Sequence, residues 1–294
     1  MSPIADQVEI LPRRSVLYMP GANERALEKA KGLAADALIL DLEDAVAPDA
    51  KDEARERVCA AASSGDYGTK EVAIRVNGLA TEWHADDIAA AAKAGPAAVV
   101  VPKVDSVADV HAIETALEAG GAPERTKIWA MVETPVAMLH AESIAAASER
   151  LTVLVMGTND LAKELYAEHV PGRQPLLTGL GLCLLAARAT GKVILDGVYN
   201  DIKDADGFAA ECLQGRQMGF DGKTLIHPSQ IDLANLAWAP TPEAVEDARA
   251  LIATFTEAVA AGKGVVTHNN RMIENLHVDN AKRVLAIAEA IATR

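Results

Sequence analysis

Eight short apolar runs recur along the chain, and nearly every one ends in a polar or charged residue. They read SVLYMPG (15–21), ALILDLEDA (37–45), EVAIRVNG (71–78), AAVVVPK (97–103), KIWAMVET (127–134), LTVLVMGTND (151–160), KVILDG (192–197) and GKTLIHP (222–228). Each run is continuous rather than alternating, the pattern of strands buried on both faces in a parallel sheet. Between them lie Ala-rich, helix-favouring stretches long enough for crossover helices. Eight β-then-α units predict an α/β fold of the (β/α)8, or TIM-barrel, kind, in which catalytic groups gather at the carboxyl ends of the strands. Those ends carry Asp41, Glu43, Asp44, Arg75, Lys103, Glu133, Asp160, Asp196 and His227, an acidic, metal-friendly set with one arginine.

The barrel pattern follows a leading arm at 1–13 and runs to about residue 240. Thr241 is placed as a helix N-cap, with Pro242 at the first helical position and Glu243 in the first turn. This predicts a helix over 242–261 as the eighth barrel helix, broken by Gly262 and Gly264. Beyond it, Val278, Ala281, Val284, Leu285 and Ala288 stand at helical spacing, and the Asn269-Asn270 pair after the glycines suggests a hinge. The expected division is a barrel with a short N-terminal arm over 1–262 and a C-terminal helical extension over 263–294. That extension is expected to act as a lid or oligomerisation segment over a barrel mouth, its own or a neighbour's.

The chain has 294 residues, where a barrel of this kind takes roughly 250, which fits one domain plus an appendage. Half the residues are apolar and only 3% aromatic, so the core is built from Ala, Val, Leu and Ile. A net charge of −14 argues against nucleic acid and anionic membrane as partners. It leaves room for a local basic pocket, with Arg13, Arg14, Arg25, Lys29 and Lys31 as the candidates. The three cysteines form no C-x-x-C pair, which points to a reducing compartment and no disulfide framework. No apolar run approaches the ~18 residues of a membrane span, and no secretory signal pattern opens the chain. The expected location is the cytoplasm.

Glu133 and Asp160 end adjacent predicted strands, five and six, where two carboxylates reach one divalent ion. Mg²⁺ takes few protein ligands and keeps waters or substrate oxygens in its other positions. The alternative is that both are helix N-caps. Arg75 offers a planar fork for a carboxylate or enolate oxygen, against a structural ion pair with the nearby acids. Asp41, Glu43 and Asp44 share one loop and cannot all ligate a single small ion, so at least one is expected to hold a metal-bound water or Arg75. Lys103 could form a Schiff base, but charge balance for the acidic cluster is preferred. The loop holding His227 follows strand eight, where this fold often binds phosphate.

Eight motifs follow one another in order: RSVLYMPG (14–21), DLEDAV (41–46), RVNG (75–78), VPK (101–103), ETP (133–135), GTNDL (157–161), GFDGK (219–223) and IHPSQI (226–231). On these residues the chain resembles the HpcH/HpaI aldolase superfamily, in the branch of citrate lyase β subunit, malyl-CoA lyase and citramalyl-CoA lyase. The resemblance implies carbon–carbon cleavage or condensation of acyl thioesters with Mg²⁺, or Mn²⁺ in its place, and coenzyme A as part of the substrate. It implies Glu133 and Asp160 as metal ligands and Arg75 on the oxoacid carboxylate or thioester oxygen, with Glu43 and Asp44 as catalytic carboxylates. Arg14, Arg25, Lys29, His227 and Pro228 would hold the CoA nucleotide. In the malyl- and citramalyl-CoA lyases, an M-I-D aspartate from a neighbouring subunit serves as acid/base. Here the motif reads Met272-Ile273-Glu274, a carboxylate on a longer arm, with Asp279 as a substitute nearby. A homotrimer or dimer of trimers is implied.

The leading expectation is a lyase that reversibly cleaves a short β-hydroxyacyl-CoA to acetyl- or propionyl-CoA and a 2-oxoacid. A malyl-CoA thioesterase on the same scaffold is the first alternative. A citrate lyase β-like subunit acting on a carrier-protein thioester is the second. A catalytically silent binding barrel is disfavoured, because every metal and arginine position of the motif set is filled.

Overall fold

The computed structural model describes residues 11–262 and 265–294. All eight apolar runs form strands: β1 (Ser15–Pro20), β2 (Ala37–Asp41), β3 (Glu71–Arg75), β4 (Ala98–Val101), β5 (Lys127–Val132), β6 (Leu151–Met156), β7 (Val193–Asp196) and β8 (Gly222–Leu225). Each pairs in parallel with the next, and β1 also pairs with β8, so the ring closes. The expected TIM barrel is therefore the fold.

Strand alternation divides the barrel side chains between two layers. Val16, Ile39, Val100, Trp129, Val153 and Leu195 are among those that fill the lumen. Leu17, Leu40, Ile74, Val99, Leu154 and Ile194 face outward into the helix layer. The same parity decides which strand-end residues reach the mouth. Asp41, Arg75 and Glu133 continue the inward series, whereas Asp196 follows inward Leu195 and falls on the outward side.

Compactness divides the chain at Trp238/Ala239, ahead of the expected boundary at 262. The eighth βα unit closes with the short helix Ile231–Trp238, which packs on β1 and β8. Helix Pro242–Ala260 groups instead with the C-terminal residues. Its start is as expected: the Thr241 hydroxyl accepts from the Ala244 N–H at 3.1 Å.

Within the second unit, β9 (Val266–His268) and β10 (Arg271–Ile273) form an antiparallel hairpin. Asn269 and Asn270 are its turn, with φ +47° and +60°. Two left-handed residues in succession make the tight turn that suits a twisted hairpin, and asparagine tolerates that conformation. The expected hinge is thus a hairpin turn; Gly264 lies outside the described residues. Helix Asn275–Ala292 follows, burying Val278 and Ala281. Among the described residues, no helix is long and apolar enough to cross a membrane.

Candidate active site

A cavity of about 430 Å³ opens at the carboxyl ends of the barrel strands, lined by Tyr18, Asp41, Asp44, Arg75, Glu133 and Asp160 among others. Arg75 is part of its wall, buried at the end of β3. Its Nε and Nη2 each donate to one oxygen of Asp41 at 2.7 Å. Its Nη1 lies 2.6 Å from Glu43 Oε2 and 3.5 Å from Asp44 Oδ2. All three acids of the DLEDAV loop therefore gather on the guanidinium.

Two further devices set that loop. Asp41 accepts the N–H groups of Glu43 and Ala45 at 2.9 and 3.0 Å. Lys51, a buried lysine that carried no signal in the sequence, donates to the Leu42 and Glu43 carbonyls at 2.7 Å and to Asn77 Oδ1 at 2.8 Å. Burial pushes the Glu43 carboxyl up to about 7; Arg75 opposes this, while Asp44 and Asp41 add to it. Glu43 is a group able to exchange a proton near neutrality.

Glu133 is buried at the end of β5, and Asp160 lies in the first turn of helix Thr158–Glu164 after β6. Neither is an N-cap: Thr134 caps the helix after Glu133, and Gly157 occupies the cap position before Asp160. Lys103 joins the two carboxylates. Its N–H donates to Glu133 Oε1 at 2.8 Å, and its Nζ lies 3.2 Å from Asp160 Oδ1. The backbone of Lys103 is left-handed, at φ +51°, an uncommon state for a lysine that aims both groups at the acids. Charge balance is thus the role found for Lys103. Gly157 is required beside Glu133, since a Cβ there would overlap the Glu133 carboxylate.

Among the described residues no three His, Cys, Asp or Glu side chains converge as a metal cage. A pair of carboxylates lining one open cavity is nonetheless a donor set suited to Mg²⁺, which leaves positions for water and substrate oxygens. The pair also calls for positive charge. Burial, then repulsion from Asp160 and Glu43, pushes the Glu133 carboxyl up to about 7. The residues present fit a divalent ion held by Glu133 and Asp160, with the Lys103 ammonium as the cation it would displace.

For Glu133, a folded pKa above the unfolded one means the native state holds the proton more tightly. The stability contributed by that proton is present below about 4.5 and is lost as pH rises to about 7. Glu133→Gln mimics the protonated form. In chelator it is expected to raise the unfolding free energy by roughly 1–3 kcal/mol at pH 8 and to change it little at pH 4. Urea denaturation at the two pH values reads both, and equal destabilisation at both would contradict the assignment.

Other expected residues fall elsewhere. Arg14 is not at the cavity: it precedes β1, at the amino end of the barrel, and its Nε and Nη2 bind both oxygens of Asp36 at 2.8 Å. Arg13 likewise pairs with Glu71 and lies over the Trp129 ring in the lumen, 5.5 Å from its centroid. The expected basic pocket is split between the two ends of the barrel. Arg25 and Lys29 remain on the exposed face of helix Glu24–Ala30, which leaves the carboxyl end of β1. His227 and Pro228 follow β8, where the His227 ring caps the turn Pro228–Gln230 and its Nδ1 lies 2.7 Å from Ser229 Oγ. Asp196 is withdrawn from the mouth. It is buried in the outer layer between Arg173 Nη1 at 2.6 Å and Lys223 Nζ at 3.1 Å. Glu274 belongs to the second unit, where it starts the last helix in a capping box, its N–H donating to His277 Nδ1 at 3.0 Å.

The sequence model of the HpcH/HpaI aldolase/citrate lyase family matches residues 14–228, the span that carries every one of these cavity residues. The chain belongs to this family. A second model, for carbon–carbon bond lyases of the TIM-barrel fold, matches residues 179–292. The family includes (3S)-malyl-CoA thioesterase of Cereibacter sphaeroides, to which the chain is 53% identical over 281 residues, covering 96% of each. It is 38% identical to citrate lyase subunit beta of Escherichia coli over 287 residues, 96% of this chain and 95% of the relative. Among solved structures, the protein CitE of Mycobacterium tuberculosis, in complex with magnesium, acetoacetate and coenzyme A, superposes with a TM-score of 0.77. The two are 30% identical, and the match covers 95% of this chain and 98% of that one. The relatives of this chain thus include both a thioesterase and citrate lyase subunits.

Proposed function

We propose that the cavity acts on a short β-hydroxyacyl-CoA of the malyl-CoA kind with a divalent ion, and that its net reaction is hydrolysis of the thioester. The observation that carries this reading is the joining of Glu133 and Asp160 through Lys103 at one cavity wall. It stands in a chain 53% identical to a malyl-CoA thioesterase. When bound, a divalent ion supplies Lewis-acid charge at the carboxylate and adjacent oxygen of the substrate acid. Glu133 and Asp160 fix where that charge sits. Arg75 holds Asp41, Glu43 and Asp44 in place, and Glu43, whose carboxyl burial pushes up to about 7, stands on the guanidinium beside the cavity wall. Glu43 takes a proton from water as the water oxygen attacks the thioester carbon; the C–S bond breaks, and the CoA sulfur leaves as thiolate or thiol. Arg25, Lys29, His227 and Pro228 serve the CoA portion from the ends of β1 and β8.

Carbon–carbon cleavage is the second reading, favoured by the match to carbon–carbon bond lyases. Glu43 would then take the proton of the substrate hydroxyl, and an enolate of acetyl-CoA would form in place of a carboxylic acid.

Product analysis separates the two. Purified protein is offered malyl-, methylmalyl-, citramalyl- and citryl-CoA with Mg²⁺. Free CoA with the intact hydroxy acid is the expected product from malyl-CoA. Acetyl-CoA with glyoxylate or another 2-oxoacid would replace hydrolysis by the lyase reading. Turnover of none of the four would refute both.

A further inference from the structure

Tyr18 is the one aromatic side chain in the cavity wall, and nothing in the arrangement of carboxylates needs it. It lies on β1 with its ring on the lumen side, packed against the inner layer. The Arg75 guanidinium stacks over that ring, 4.8 Å from its centroid. The hydroxyl has no oxygen partner at hydrogen-bond distance among the described residues. It points to the sulfur of Met131 at 3.8 Å, and a thioether is a weak acceptor.

A donor placed so is unusual, because polar groups at a half-buried site normally find strong acceptors. The three acids of the DLEDAV loop are taken up by Arg75 instead. The converse also holds. Both Nε and Nη2 of Arg75 are engaged by Asp41, and Nη1 by Glu43. The guanidinium is thus occupied, whereas the phenol is uncommitted.

We infer that the Tyr18 hydroxyl is a catalytic hydrogen-bond donor to the thioester carbonyl oxygen of the substrate, on which negative charge develops. The inference rests on the proposed CoA-thioester reading, and it applies to both of its forms. In hydrolysis the oxygen becomes the oxyanion of the tetrahedral adduct; in carbon–carbon cleavage it becomes the enolate oxygen. Either way the phenol donates without losing its proton. Burial, opposed in part by Arg75, holds its acidity well below that of an ordinary tyrosine, so the O–H stays intact at every working pH. The stacked guanidinium adds positive charge behind the ring and strengthens the O–H as a donor.

Tyr18→Phe keeps the ring and its stacking on Arg75 and removes only the hydroxyl. Loss of one oxyanion donor costs about 10²-fold in kcat. The variant is expected to show that loss on the CoA ester that wild type turns over, with KM within about threefold and Mg²⁺ binding unchanged. A packing role would leave kcat alone, because the ring remains. If the variant does not fold, 3-fluorotyrosine at position 18 supplies the second readout: a more acidic phenol is a stronger donor, and kcat should rise. An unchanged kcat in whichever variant is folded overturns the role of Tyr18. Wild type is assayed in parallel. Its failure on all four CoA esters would refute the CoA-thioester reading and this inference together. Turnover by wild type that the variant matches would refute only the inference.

Discussion

Asp160→Ala and Glu133→Ala are each expected to lose Mg²⁺ binding and to lower turnover by at least about 10³-fold. A bound divalent ion contributes several kcal/mol of charge stabilisation, and each 1.4 kcal/mol is about tenfold in rate. The two residues are unequal in environment, which makes the pair informative. Asp160 is partly exposed and touches Lys103 Nζ, so its removal should leave the melting temperature nearly unchanged. Glu133 is buried and accepts the Lys103 N–H. Alanine there removes a costly buried charge but leaves that N–H without its acceptor, so a modest change of either sign is acceptable. Calorimetric titration with Mg²⁺ reads binding, and the CoA-ester assay with and without chelator reads turnover. Full activity of either variant in metal-free buffer would refute the pair as ligands.

Arg75→Lys is expected to be nearly as damaging although the charge is kept. The guanidinium places its nitrogens on Asp41 and Glu43 at 2.6–2.7 Å, with Asp44 within 3.5 Å. An ammonium is a point charge on a flexible stem and cannot reproduce that fork. At least one of the buried carboxylates is then left without its partner. Removing one member of a buried pair outright costs about 3–5 kcal/mol, and retention of charge should reduce this to about 1–3 kcal/mol. The DLEDAV loop should loosen with it, so kcat should fall by about 10²-fold or more, with a smaller change in KM. Circular dichroism melting and steady-state kinetics check the two effects. A variant with normal kcat would confine Arg75 to a structural role.

The barrel was legible because strands buried on both faces are written as unbroken apolar runs, and each observed strand lies within one of the eight. The sites of Arg75, Glu133 and Asp160 were legible because the strand ends fix the mouth. Strand parity is not visible in an unbroken apolar run. Asp196 ends a strand as Glu133 nearly does, but one step of alternation sends it outward into a salt-bridge cluster with Arg173 and Lys223. Arg14 failed for a simpler reason. It lies before its strand, not after it, and so belongs to the opposite end of the barrel. Tyr18 was hidden inside an apolar run as one more core residue, and an inward-facing position near the end of β1 was the signal that could have found it. Helix Pro242–Ala260 looks like a barrel helix in the sequence because it is long and well capped. The true eighth helix, Ile231–Trp238, is short and starts directly from the His227 turn. The glycines before the Asn269-Asn270 pair suggest a hinge, yet two left-handed asparagines in succession are a hairpin turn.

The central claim is that one divalent ion sits between Glu133 and Asp160 with room for the substrate acid. The most direct measurement is anomalous diffraction from crystals of the protein grown with Mn²⁺ and a 2-oxoacid such as glyoxylate. One strong Mn²⁺ peak is expected in the barrel mouth, bonded to an oxygen of Glu133 and an oxygen of Asp160 at about 2.2 Å. The acid should complete the coordination, and Lys103 Nζ should have moved off Asp160. A barrel mouth without the peak, or a peak bonded to the Asp41, Glu43 and Asp44 loop with Glu133 unligated, would contradict it.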